Sequence, residues 1–201
     1  MTPEQFDLTA KELFGRVLGP FGFVSNRSKY CTFYRKASED IYHVVLPDLG
    51  TRGEWFDVKV YPASPLLEVL FDERFPDELG IPTDRFSYLH PVSGVGPDQE
   101  MYQCKTEAVF RQVFDEKVKP ALVNKAIPYL DKVMSIDAMV PLIRNKTYLA
   151  LALSKVGKVD QAMPLLVAEK QRLSKLGSGD RKVSALIKQI DSLLSKWGQT
   201  P

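Results

Sequence analysis

The stretch Trp55-Phe56-Asp57-Val58-Lys59-Val60-Tyr61 decides the fold class. Its β-branched and aromatic residues alternate with charged ones, which is typical of a strand that buries one face. Because side chains change face at every residue, Phe56, Val58 and Val60 are predicted to point into a core. The residues predicted to point away from that core are Trp55, Asp57, Lys59 and Tyr61.

Two further strands are predicted upstream, at residues 30–36 and 41–46, with a weaker one at 21–25. The links between the three stronger strands have the length of hairpin loops. Parallel pairing would need longer crossovers, so the sheet is predicted to be antiparallel.

The faces of these upstream strands follow from the same alternation. In 30–36, Cys31 and Phe33 are predicted to lie in the core and Tyr34 on the opposite face. The segment 41–46 separates less clearly. We expect His43 to point outward there. The residues expected to point inward are Tyr42, Val44 and Leu46.

An amphipathic helix precedes the sheet. Thr2 is a candidate N-cap, Pro3 suits the first helical position, and Gln5 completes a capping box. Apolar residues then recur every three or four positions, so they share one face, which is predicted to cover the sheet. They are Phe6, Ala10, Leu13, Phe14, Val17 and Leu18.

The segment 62–97 has a different character, because six prolines interrupt it. A strand or a short helical turn is predicted at 66–71, and another strand at 86–89. The loop 93–97 lacks the glycine spacing and the strand-to-helix setting of a phosphate-binding loop. Such long irregular stretches are often functional.

From Thr106 onward the chain is predicted to be helical, with an interruption at Pro120. The final helix is the clearest, because its apolar residues between 183 and 197 keep the three-four rhythm throughout. The predicted class is therefore α+β: an antiparallel sheet of about four to six strands under an N-terminal helix, followed by a helical part. We predict an α+β domain over 1–135 and a helical hairpin-type extension, packed on it, over 136–201.

Residues 1 to about 135 resemble a family of bacterial domains of unknown function. The shared features are an opening amphipathic helix with Phe14, a Gly-Phe turn at residues 19–23, the three strands and a closing helix that ends near 126–130. The resemblance covers about two thirds of the chain and implies a fold, but no activity and no functional residue.

The segment 146–169 looks like a single tetratricopeptide-type helical hairpin, with Pro164 and Glu169 as departures from that pattern. Arrays of this repeat need about three copies for stability, so one copy implies packing rather than a peptide-binding groove. The residues that carry the resemblance are Leu149, Ala150, Leu153, Gly157, Ala162 and Leu166.

Charge is distributed unevenly along the chain. Residues 1–104 carry 10 basic and 16 acidic side chains, a net of −6, and residues 105–201 carry 17 and 9, a net of +8. The whole chain has a net charge of only +2, so nucleic-acid binding is not favoured. A basic surface in the second half would be its only support; it would comprise Lys117, Lys119, Lys125, Lys132, Arg181, Lys182 and Lys188.

Neither a secretory signal nor a membrane-spanning run of about 18 apolar residues is recognisable in the sequence, so a cytoplasmic protein without a membrane partner is expected. No sequence motif for a catalytic triad, a metal site or a cofactor occurs. The histidines are His43 and His90, and the cysteines are Cys31 and Cys104. No catalytic residue, metal ligand or cofactor is predicted.

One constellation suggests binding. Amphipathic aromatic side chains with a few charges suit a ligand or protein interface. The sequence therefore favours a non-catalytic protein-interaction module, which neutralises or regulates a partner protein. The alternatives are burial of this face under the C-terminal helices, or an enzyme or small-molecule binder with a pocket between the sheet and the 62–97 loop. The predicted site residues are Tyr34, His43, Trp55, Asp57, Lys59 and Tyr61.

Overall fold

The computed structural model describes residues 1–25, 31–68, 101–143, 146–175 and 181–198. Its fold is α+β, which confirms the predicted class: an N-terminal helix, an antiparallel sheet and a helical C-terminal part. The predicted elements at 86–89 and 93–97 lie outside the described residues.

Five strands form the sheet in the part of the chain that the structure describes, and each pairs with the next one along the chain. All four pairings are antiparallel, as predicted. The strands are β1 (Val24–Ser25), β2 (Phe33–Lys36), β3 (Tyr42–Leu49), β4 (Trp55–Ala63) and β5 (Tyr102–Gln103).

Helix α1 (Pro3–Leu18) begins as the sequence predicts. The Thr2 hydroxyl accepts the Gln5 backbone N–H, and the Gln5 side chain accepts the Thr2 N–H. These reciprocal bonds satisfy two backbone donors that the first turn of a helix otherwise leaves open. A short 3₁₀ turn, Gly19–Phe21, follows the helix, and Gly22 adopts a φ of +81° that favours glycine.

The apolar stripe of α1 packs on the predicted core face of the sheet. Phe56, Val58 and Val60 are at most 2 % exposed and share one cluster with that stripe, which confirms their predicted direction. Cys31 and Phe33 lie in the same cluster. We call this side of the sheet the inner face, and its opposite the outer face.

The faces predicted for the residues of β3 were wrong. Tyr42, Val44 and Leu46 are on the outer face, whereas Val45 belongs to the inner cluster and His43 is fully buried. Val44 and Val45 are adjacent and point to opposite faces, so the sequence pattern does not separate the two faces of this strand.

Residues 107–130 form one continuous helix, α3, which passes through both Pro120 and Pro128. The predicted interruption at Pro120 is therefore wrong. Two π-helical turns, Phe114–Val118 and Leu122–Ala126, each end two residues before a proline. A proline ring crowds the carbonyl four residues back and offers no N–H, and a wider turn accommodates both defects.

The π turns also explain the apolar pattern of α3. In a regular helix of 3.6 residues per turn, a four-residue spacing drifts by about 40° at each step. Because π turns are wider, they reduce this drift, and one side of α3 stays against the inner core along its length. The buried side chains spaced in this way are Phe110, Phe114, Val118, Leu122, Ala126 and Leu130.

Shorter and later helices complete the described chain. Helix α2 (Pro65–Glu68) follows β4, in the segment predicted as a strand or a helical turn, and α4 (Ile136–Met139) follows α3. The others are α5 (Lys146–Lys155), α6 (Val159–Lys175) and α7 (Arg181–Gly198).

Helices α5 and α6 form a hairpin around Gly157, whose φ of +78° suits the tight connection. Their facing residues Ala150, Ala162 and Leu166 are buried in one cluster, to which α7 contributes Ile190. A second cluster joins the sheet to these helices, because Ile41 beside β3 packs with residues of α4 and α5. Both predicted parts of the chain thus contribute to one continuous packing arrangement.

Across the ranges that the structure describes, no helix is long and apolar enough to cross a membrane.

Candidate functional site

The sheet register shows where the predicted site residues lie. Tyr34 and Tyr61 both pair with Val44 across neighbouring strands, so all three are on the outer face. Trp55, Asp57 and Lys59 follow Tyr61 down β4 with the same parity and occupy that face as well. His43 pairs with Arg35 and Pro62 and points to the inner side. The predicted constellation is therefore correct in its face except for His43.

One end of the outer face is apolar and closed. Tyr61 and Val44 are at most 1 % exposed and pack with Ala63. Tyr34 is half-buried at the rim of this cluster. A partner therefore has no direct access to Tyr61.

The other end carries charges and an exposed indole. We call its residues Asp48, Trp55, Asp57 and Lys59 the outer corner. The Lys59 ammonium forms an ion pair with the Asp48 carboxylate, and Trp55 is 37 % exposed. Asp48 was missed at the sequence level, because Pro47 and the following glycines suggested that β3 had already ended.

Proline is tolerated at position 47 because β2 begins only at Phe33, whose partner on β3 is Val45. Pro47 lies beyond that last pair, where no N–H is needed by the described ladder. Strand β3 can therefore continue to Leu49 and bring Asp48 opposite Asp57. Like charges placed directly opposite each other on antiparallel strands repel.

Asp57 is the least compensated group of the outer corner. Its Oδ1 atom is buried and accepts no hydrogen bond from the described chain. Burial raises the pKa of this carboxyl, Lys59 opposes that shift and Asp48 adds to it. The Asp57 backbone N–H also lowers this pKa, but the net shift stays upward. Among the described residues, the Lys59 ammonium forms its ion pair with Asp48, so Asp57 has only part of the compensation that a carboxylate needs.

His43 has a structural environment on the inner side. Its Nε2 donates to the Val133 carbonyl at 2.9 Å, and its Nδ1 accepts from Arg35 Nε at 3.2 Å. Arg35 also forms an ion pair with Asp131. These contacts use both ring nitrogens, so neither is available as a general base towards a substrate.

Neither Cys31 nor Cys104 is activated as a nucleophile. Burial raises the pKa of the Cys31 thiol to about 12 and that of Cys104 to about 11. At neutral pH both are protonated thiols, whereas a nucleophilic cysteine needs its thiolate form. Among the described residues, no group of three or more histidine, cysteine or acidic side chains is arranged to hold a metal ion.

A shallow groove of about 250 Å³ lies between α1 and α3. Arg111 crosses it and donates to both carboxylate oxygens of Glu12, at 2.8 and 2.6 Å, and to Glu107 at 2.9 Å. Two carboxylates already neutralise this guanidinium, so the groove serves mainly to join the two helices. The groove was not predicted. The pocket predicted between the sheet and the 62–97 loop lies largely outside the described residues.

The predicted basic surface is described only in part, since the structure does not describe the side chains of Arg181 and Lys182.

Comparison with protein families, with curated proteins and with solved structures finds no match to this chain. The resemblances to a bacterial domain family and to a tetratricopeptide-type hairpin therefore stay predictions, and the functional argument depends on the outer corner itself.

Proposed function

We propose that this chain is a non-catalytic protein-interaction module, which binds a partner through the outer corner and thereby neutralises or regulates it. The observation that carries the proposal is the exposed Trp55 beside Asp57, whose buried Oδ1 atom accepts no hydrogen bond from the described residues. Tryptophan is enriched in the centres of protein interfaces, where it contributes large contact area.

The chemistry of the outer corner favours a positively charged partner side chain. Trp55 and Asp57 are two residues apart on one face of β4, so a single arginine or lysine can contact both. The apolar stem of this partner side chain would lie against the indole, which also attracts cations. Its charged head would face the Asp57 carboxylate. Such a contact would compensate Asp57 without breaking the Lys59–Asp48 pair.

The proposal is tested with a photo-reactive residue placed at Gln103, an exposed residue of β5 that pairs with Trp55 of β4. Cross-linked partners are identified by mass spectrometry from a lysate of the cells that produce this chain. The matched control carries the same group at Val167 on α6, which is 41 % exposed. We expect a defined partner at Gln103 only, and its loss with Trp55→Ala or Asp57→Asn in folded protein.

Two results would contradict this function. The first is a partner captured equally from both positions and unaffected by either substitution. The second is a native mass spectrum of the purified chain that shows a bound metabolite, because this favours the small-molecule alternative.

A further inference from the structure

The hydrogen bonds of His43 fix its protonation state. A backbone carbonyl can only accept, so Nε2 must carry a proton to bond Val133 at 2.9 Å. The Arg35 guanidinium can only donate, and its Nε and Nη2 lie 3.2 and 3.1 Å from Nδ1. Nδ1 must therefore be unprotonated. The arrangement requires a neutral imidazole with its proton on Nε2.

Arg35 cannot easily move away if this ring becomes charged. Its Nη1 donates to the Phe21 carbonyl at 3.0 Å, and its Nη2 pairs with Asp131. Its guanidinium also lies over the Phe23 ring, 4.8 Å from the ring centre. A proton on Nδ1 would turn the hydrogen bonds from Arg35 into a repulsive contact between the imidazolium and the guanidinium. The guanidinium is held in place by its other contacts.

The bonds of His43 connect different parts of the fold. Asp131 and Val133 follow α3 and lead into α4, whereas His43 and Arg35 belong to the sheet. Val133 packs in the cluster that joins Ile41, next to the start of β3, to α4 and α5. The imidazole therefore attaches the start of the helical C-terminal part to β3.

We propose that His43 is an acid-sensitive lock: its protonation turns the bonds from Arg35 into a contact between two cations, displaces the ring because Arg35 is held in place, and so strains the ring's bond to Val133 and loosens the helical C-terminal part, while the inner core of the sheet persists. This device acts beyond the proposed partner binding, because it lies on the opposite side of the sheet from the outer corner. It makes the attachment between the two parts of the chain dependent on pH.

The direction of the effect follows from the charged groups around the ring. Burial lowers the pKa of His43 below its ordinary value of 6.5; the Val133 carbonyl opposes the shift, Arg35 reinforces it and Asp131 opposes it. The unfolded chain then binds a proton that the folded chain resists. The stability that His43 contributes is therefore complete above pH 6.5 and is lost as the pH falls below that value.

The experiment uses the fact that the chain has two histidines, His43 and His90. Imidazole ¹⁵N resonances, assigned with a His90→Gln variant, report the tautomer and the titration of His43 directly. We expect the Nε2–H tautomer and a midpoint below 6.5. A His43 midpoint at or above 6.5, or the Nδ1–H tautomer at pH 7.5, overturns the proposal in the unmodified protein.

Amide hydrogen exchange at pH 7.5 and 5.0 then tests the release. After correction for the intrinsic pH dependence of exchange, protection in residues 133–143 and 146–155 should fall about tenfold or more at pH 5.0, because local opening becomes easier. Protection at Val45 and Val58 should stay. His43→Gln cannot be protonated, so its loss of protection between the two pH values should disappear. An unchanged loss in this variant would contradict the lock.

Discussion

The two faces of β4 alternate residue by residue along one strand, yet they differ in almost every physical respect. The inner residues Phe56, Val58 and Val60 are sealed against α1 and α3. On the outer side, Trp55 is exposed, and Asp57 and Lys59 interact with each other and with Asp48 through their charges. The comparison teaches that one strand can supply packing energy on one side and chemical recognition on the other, because neighbouring side chains do not share a face.

Aromatic packing dominates the inner face. The Phe56 ring meets Phe110 edge to face at 4.8 Å between centroids, and Phe6 stacks on Phe110 at 5.0 Å. Pairs with such geometry contribute roughly 0.5–1.5 kcal/mol beyond the burial of their area. The outer corner has no equivalent cluster within the described chain, so substitutions there should have far smaller effects on stability.

The largest effect is expected for Phe56→Ala. Removal of a fully buried phenyl ring leaves a cavity and should lower the free energy of unfolding by about 3–5 kcal/mol. Urea denaturation at pH 7.5 measures the change, and Phe56→Leu, which fills more of the space, should lose less. A loss below about 1 kcal/mol would show that the two faces of β4 are not energetically distinct.

Trp55→Ala should have an intermediate effect, with a loss of about 1 kcal/mol, because the indole is already 37 % exposed. The same denaturation series measures it, and circular dichroism checks that the fold is retained. If this substitution destabilised the protein as much as Phe56→Ala, the outer corner would have to be regarded as core, and the interface proposal would fail with it.

Asp57→Asn should act in the opposite direction. Removal of the like-charge contact with Asp48 should raise the free energy of unfolding by about 0.5 kcal/mol at pH 7.5. The raised pKa of Asp57 means that its contribution to stability falls as the pH rises from below 3.8 through the folded-state value. The advantage of asparagine should therefore shrink in acid. A destabilised variant at pH 7.5 would indicate that the carboxylate has a partner.

Lys59→Ala should have the smallest effect, a loss of about 0.3 kcal/mol, because the ion pair with Asp48 is partly exposed and screened by solvent. Denaturation at low and at high salt measures it, and the loss should diminish as salt is added. Lys170, which pairs with Asp191 at 2.5 Å on the surface, offers a matched exposed ion pair as a control. A salt-independent loss above about 1 kcal/mol would contradict the interpretation of Lys59–Asp48 as a screened surface ion pair.

The inner face of the sheet was predictable because charge and hydrophobicity alternate strictly in β4. The start of α1 was predictable as well, since Thr2 and Gln5 form a capping box by local bonds alone. Adjacent valines left β3 without a decisive pattern, so the prediction for His43 was wrong. Its burial depends on Arg35 and Val133, and the second of these is 90 residues away in sequence.

The outer corner was only partly predictable for a similar reason. Trp55, Asp57 and Lys59 follow from the alternation of a single strand. Asp48 enters through the register between β3 and β4, which depends on how far a strand extends past Pro47. Pairing between strands is a tertiary property, and no single segment of the chain encodes it.

The winding of α3 has a consequence for the whole molecule. Because Pro120 and Pro128 hold two wide turns in this helix, they determine the angle at which the chain leaves it towards Asp131 and Val133. If alanines replaced both prolines and the helix tightened to ordinary winding, its far end would rotate relative to the sheet. The prolines would then govern, from within the helix, whether the imidazole of His43 meets its partners at all.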